Sequence, residues 1–204
     1  MRLLFAFACI SIMPFGLIAQ TNNSSNHKLG VKTSFNLSSM TGTALENPRV
    51  KFGYTAGTYF ISNIKNKTSI YSEIIGNFKG SNFKNSDVGY SKIALFYVDA
   101  SLLPLFRLKN EHSICLGPTV SYLALSSLYV GDKKKSEIDK LALKPWEYSI
   151  AMYYLIPKSV ISFQFGTKIG IRNINDNIIL DNITPTINPN GTIQNISFEI
   201  GMLF

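Results

Sequence analysis

Apolar and polar residues alternate through most of this chain, and a period of two is the pattern of a strand with one apolar face. The cleanest stretch sets Ile161, Phe163, Phe165, Thr167, Ile169 and Ile171 against Ser162, Gln164, Gly166, Lys168, Gly170 and Arg172. Residues 29–37, 50–60, 146–154 and 196–204 follow the same rule. Residues 68–79, 91–103 and 112–125 are strand-like but alternate less cleanly. The pattern predicts eight strands of roughly 10–13 residues, close to the 9–11 that a tilted strand needs to cross a bilayer.

Composition narrows the reading. The 204 residues are 46% hydrophobic and only 16% charged, with a net charge of +8. A disordered chain needs the opposite balance. A helical membrane protein needs apolar runs of about 20 residues, and only the N-terminus comes near one. There, Arg2 precedes an uncharged apolar stretch that ends Leu17-Ile18-Ala19. This is the form of a cleaved signal peptide over residues 1–19, followed by a polar segment 20–27 and a barrel 28–204. Export makes nucleic acid a poor explanation of the basic charge. Cys9 leaves with the signal, so Cys115 has no internal disulfide partner.

The expected connections alternate in length. Residues 38–49, 80–90, 126–145 and 173–192 are long, and 62–67, 104–111 and 156–159 are short. An all-β, eight-stranded antiparallel up-and-down transmembrane barrel follows, with short periplasmic turns and long external loops. Residues 136–144 read as a short helix capped by Ser136. Alternation alone does not say which face points outward. A soluble barrel turns its polar face out and a membrane barrel turns it in. The membrane arrangement is favoured by glycines on the polar faces, which suit a crowded lumen. Aromatics near the strand ends, the alternating loops and the terminal aromatic favour it too.

Several segments resemble the PorT-like outer-membrane β-barrel family of Bacteroidota. Gly30-Val31-Lys32 through Asn36-Leu37-Ser38 is similar to its opening strand. Tyr97-Val98-Asp99 with Leu102-Leu103-Pro104-Leu105 is similar to its central strand, with Asp in place of Glu. Leu116-Gly117-Pro118 through Tyr122-Leu123, and Glu199 through Phe204, complete the likeness over about residues 28–204. The resemblance implies the fold and an outer-membrane location. It also implies that Phe204 is an assembly signal read by the barrel-assembly machinery. The family's namesake takes part in protein secretion, which makes an accessory secretion subunit a second functional reading.

Parity places a charge network in the lumen: Lys32, Lys51, Glu73, Asp99, Glu147, Lys168, Arg172 and Glu199. Lys168 and Lys32 fall near Glu199, and Glu147 near Arg172. Glu73 and Asp99 sit on adjacent strands, where two unpaired carboxylates would repel, so one is expected to be protonated or bridged by a base or a tyrosine. An eight-stranded barrel is just wide enough for side chains to fill, so this network is expected to pair internally rather than line an ion path. No catalytic residue is expected. His27 and His112 both fall on the short-turn side with no serine to activate. No cofactor or metal is expected either. Lys133, Lys134 and Lys135 make the third long loop basic. They read as a solvated run or as a contact for lipopolysaccharide phosphates. The expected partners are outer-membrane lipid and lipopolysaccharide, the barrel-assembly machinery and an envelope protein. The expected role is structural or interactive, with a secreted soluble ligand-binding barrel as a third reading.

Overall fold

The computed structural model describes residues 27–204 except 46, 66, 86–88, 131–132, 138–142 and 177–189. The expected signal segment and most of the polar segment after it therefore lie outside the described residues. Ten strands are present among the described residues. They are β1 (His27–Thr41), β2 (Pro48–Arg49), β3 (Lys51–Lys65), β4 (Thr68–Asn85), β5 (Gly89–Arg107), β6 (Ser113–Val130), β7 (Lys133–Glu137), β8 (Trp146–Lys158), β9 (Ile161–Gly170) and β10 (Gln194–Leu203). Every pairing is antiparallel. Eight of the strands close into an up-and-down barrel in which β10 returns to β1. The short β2 and β7 pair with β4 and β6 at the long-loop end.

The wall is built as the alternation dictates. On β8, Trp146, Tyr148, Ile150 and Met152 point outward, while Glu147, Ser149, Ala151 and Tyr153 are buried. Large apolar side chains stay exposed around the whole circumference, from Phe35 on β1 to Ile200 on β10. This is the reverse of a soluble barrel, and it leaves the fold with an apolar outer wall.

Three connections differ from the sequence expectation. Residues 80–90 are mostly strand, because β4 and β5 pair from Thr68↔Phe106 to Asn85↔Gly89. The chain bends at Gly80 (φ +142°) without leaving the sheet. A Cβ there would lie 2.1 Å from the Ile93 carbonyl oxygen, so the bend requires glycine. Pro104 belongs to β5 rather than to a turn. The ladder from β5 to β6 breaks between Ser101↔Thr119 and Leu105↔Cys115, where proline has no N–H to give. Finally, Ser136 pairs with Leu128 as part of β7 rather than opening a helix, and residues 138–142 of the expected helix lie outside the described residues.

The lumen has three layers. Near the short turns lies an apolar plug that includes Tyr59, Tyr71, Leu103, Cys115, Tyr153 and Leu203. Near the long loops a second plug includes Met40, Phe83, Ile93, Leu95, Ile174 and Ile193. Charged side chains occupy the space between. The expectation of a polar lumen therefore holds only for the middle layer. Glycines on the inner face make room for the lower tyrosines. A Cβ at Gly166 would stand 2.1 Å from the Tyr153 ring, and one at Gly30 would stand 2.5 Å from the Tyr59 ring.

Candidate functional site

Lys168 on β9 and Lys32 on β1 organise the middle of the lumen. The Lys168 ammonium lies 2.9 Å from Asp99, 3.4 Å from Glu73 and 3.8 Å from Glu199. Lys32 lies 2.9 Å from Glu73 and 3.1 Å from Glu199. Its ammonium also sits 4.3 Å from the centre of the Tyr153 ring, close enough for a cation–π attraction. Glu73 further accepts hydrogen bonds from the Tyr71 and Tyr153 hydroxyls, each at 2.9 Å, and from Ser101 at 3.0 Å. Asn77 donates to Asp99 at 2.9 Å. All of these side chains are buried. Each carboxylate is thus compensated from several strands, as a buried charge requires.

A second, smaller group lies nearer the long loops. Lys79 on β4 donates to both oxygens of Glu147 on β8 at 3.0 Å, and Asn195 on β10 adds a bond of 2.7 Å. The ammonium packs 4.1 Å from the centre of the Tyr97 ring. Sequence reasoning missed Lys79, although the marker was available: it lies six residues from Glu73 on one strand and so shares its face.

Two expected members of the network sit elsewhere. Arg172 is not in the lumen. β9 ends at Gly170, parity lapses there, and the exposed Arg172 guanidinium lies 5.3 Å from the centre of the outward Tyr148 ring. Glu147 is answered by Lys79 instead. Lys51 is buried at the rim of the upper layer. It reaches the backbone carbonyl of Lys79 at 3.4 Å rather than a carboxylate.

The remaining candidates are at the ends of the barrel. His27 stacks on Phe60 with ring centres 5.6 Å apart, and His112 meets the Tyr154 hydroxyl. Lys133, Lys134 and Lys135 begin β7, which turns back along β6, so they extend a hairpin rather than lie in an irregular loop. Phe204 closes the β1–β10 seam. Its amide and carbonyl bond Val31 at 2.9 and 3.2 Å, and the Tyr59 hydroxyl donates to the same carbonyl at 3.2 Å. Among the described residues, no group of three His, Cys, Asp or Glu is placed to hold a metal ion. The lumen carboxylates face lysines instead.

With this geometry in hand, comparison with known proteins decides the architecture. No protein-family profile and no curated protein sequence matches the chain. The solved structures do. Neisserial surface protein A superposes with a TM-score of 0.53 at 9% identity, covering 88% of this chain and 98% of its own. Ail, the attachment invasion locus protein of Yersinia pestis, gives 0.47 at 11% identity, covering 88% and 97%. The outer membrane protein OprG of Pseudomonas aeruginosa gives 0.46 at 9% identity, covering 88% and 95%. The chain has the fold of the eight-stranded outer-membrane β-barrels. At this identity the likeness carries the fold alone.

Proposed function

We propose that this chain is a non-enzymatic outer-membrane barrel with a structural or interaction role, and that its lumen is a packed core rather than a conduit. One observation carries the reading. The side chains of Lys32, Glu73, Asp99, Lys168 and Glu199 have between 0 and 4% of their surface exposed, which supports a charged layer closed to water. Two apolar plugs flank that layer. The exposed apolar wall supports a lipid environment over a secreted soluble barrel, which would need those residues inside. Reconstituted in a planar bilayer, the protein is expected to insert without a steady current. A sustained open-channel current from the unmodified protein would overturn the packed-core reading.

Finer assignments follow from the same reading. Phe204 acts as the assembly signal, Lys133, Lys134 and Lys135 meet lipopolysaccharide phosphates, and an envelope protein contacts the long loops. Membership of the PorT-like family rests on the short segments in β1, β5, β6 and β10, and with it goes the alternative of an accessory secretion subunit. Crosslinking in the intact envelope tests that alternative, which needs a captured secretion component. Binding to vesicles containing lipid A that does not weaken with salt removes the lysine–phosphate assignment.

A further inference from the structure

Exposed positive charge gathers at the short-turn end of this barrel. Within the lumen, Lys32, Lys51, Lys79 and Lys168 cancel Glu73, Asp99, Glu147 and Glu199. The short-turn rim is different. Lys28, Lys65, Lys67, Arg107, Lys109 and Lys158 are all exposed there, with Glu111 as the one acid among the rim's described residues. Six bases against one acid therefore ring the end where the turns are tight.

Apolar residues are interleaved with that ring. Ile64, Leu108 and Val160 expose 56, 46 and 77% of their surface beside Lys65, Lys109 and Lys158. Three of the turns also enclose a concavity of about 740 Å³ lined by Lys67, Arg107, Leu108, Lys109, Glu111 and Pro157. Arg107 is fixed at its edge. The Arg107 amide donates to the Lys67 carbonyl at 3.0 Å and its guanidinium donates to the Asn63 side chain. Apolar stems at the acyl boundary with cationic heads beside them are what a membrane interface selects.

We infer that the short-turn rim is a collar that binds the phosphate headgroups of anionic phospholipid, with the concavity between Lys67, the 108–112 turn and the 157–160 turn as one seat. The inference rests on the membrane reading above, and it names the lipid class that this end of the barrel prefers. Lipid is favoured over an acidic protein because the cations are interrupted by exposed leucine, isoleucine and valine. A polar partner surface would leave these unpaired. Each lysine held near an anionic surface contributes about 1 kcal/mol, a factor of about five in affinity.

The full chain in detergent, offered phosphatidylglycerol and phosphatidylethanolamine together and examined by native mass spectrometry, is expected to retain phosphatidylglycerol by about five-fold or more. The preference should shrink at high salt in the unmodified protein. It should fall by about five-fold or more in the Lys67→Gln/Lys109→Gln variant, with unchanged heat-modified mobility on gels. Equal retention of the two lipids, or a variant as selective as the parent, overturns the collar. So does capture of a polyaspartate peptide without lipid preference, which would assign the rim to an acidic protein. Flotation separates the two readings. A chain that floats with vesicles of either lipid but shows no preference loses only the collar, and one that floats with neither loses the membrane reading as well.

Discussion

Lys168 answers three carboxylates in the middle of the lumen, whereas Lys79, one layer higher, answers a single carboxylate with both of its oxygens. The first group joins β1, β4, β5, β9 and β10, and its members have no private partners. The second is a pair that ties β4 to β8, with Asn195 at its side. A pair can be exchanged as a unit for apolar residues, because both charges leave together. A shared network cannot, since each lysine that leaves takes a counter-charge from more than one carboxylate in a dry interior. The lower group should therefore dominate stability and strand register, and the upper one should be replaceable.

This contrast can be broken in order of size. Lys168→Ala should have the largest effect, about 3–5 kcal/mol, because it leaves buried Asp99 without a lysine and Glu73 and Glu199 with Lys32 alone. Urea unfolding in lipid, followed by the fluorescence of the single tryptophan Trp146, measures it. Lys79→Ala should lose less, about 2–3 kcal/mol, since Asn195 still donates to Glu147. Replacing both Lys79 and Glu147 by Met should return stability to within about 1 kcal/mol of the parent. A double variant as weak as the single one would show that the pair is also tied into the larger network. Tyr153→Phe removes one donor from Glu73 while Ser101 still serves the same oxygen, and should cost about 1–2 kcal/mol in the same assay. Arg172→Ala should move the transition by less than about 1 kcal/mol, because an exposed cation over an aromatic ring contributes little. A larger loss there would return Arg172 to the list of structural charges.

Alternation made the strand count, the wall and the inward face of most charges legible from sequence. It failed where its physical premise fails. Residues 91–103 alternate poorly because both faces are apolar: Ile93, Leu95 and Leu103 fill the lumen plugs while Val98 and Leu102 face outward. Arg172 was misplaced because parity was carried two residues beyond the end of β9. Pairing across the lumen was legible only in part. Lys32 with Glu199 follows from strands that adjoin at the closure. Lys79 with Glu147 spans non-adjacent strands, and no sequence spacing encodes how far a lysine reaches across a barrel.

The closure of β1 on β10 has a consequence for timing. Lys32 and Glu199 are 167 residues apart in sequence and 3.1 Å apart in space. Val31 and Phe204, bonded through their backbones, are more distant still along the chain. Contacts of such long range form late, because the loop they close is nearly the whole protein. Until β10 has been delivered, β1 presents an unpaired edge and an ammonium group with Glu73 alone to answer it, which is the state most open to mispairing with another chain. The seam thus works as a checkpoint on completeness, since a chain that lacks its final strand has no partner for its first edge and only one of the two acids for its first buried base.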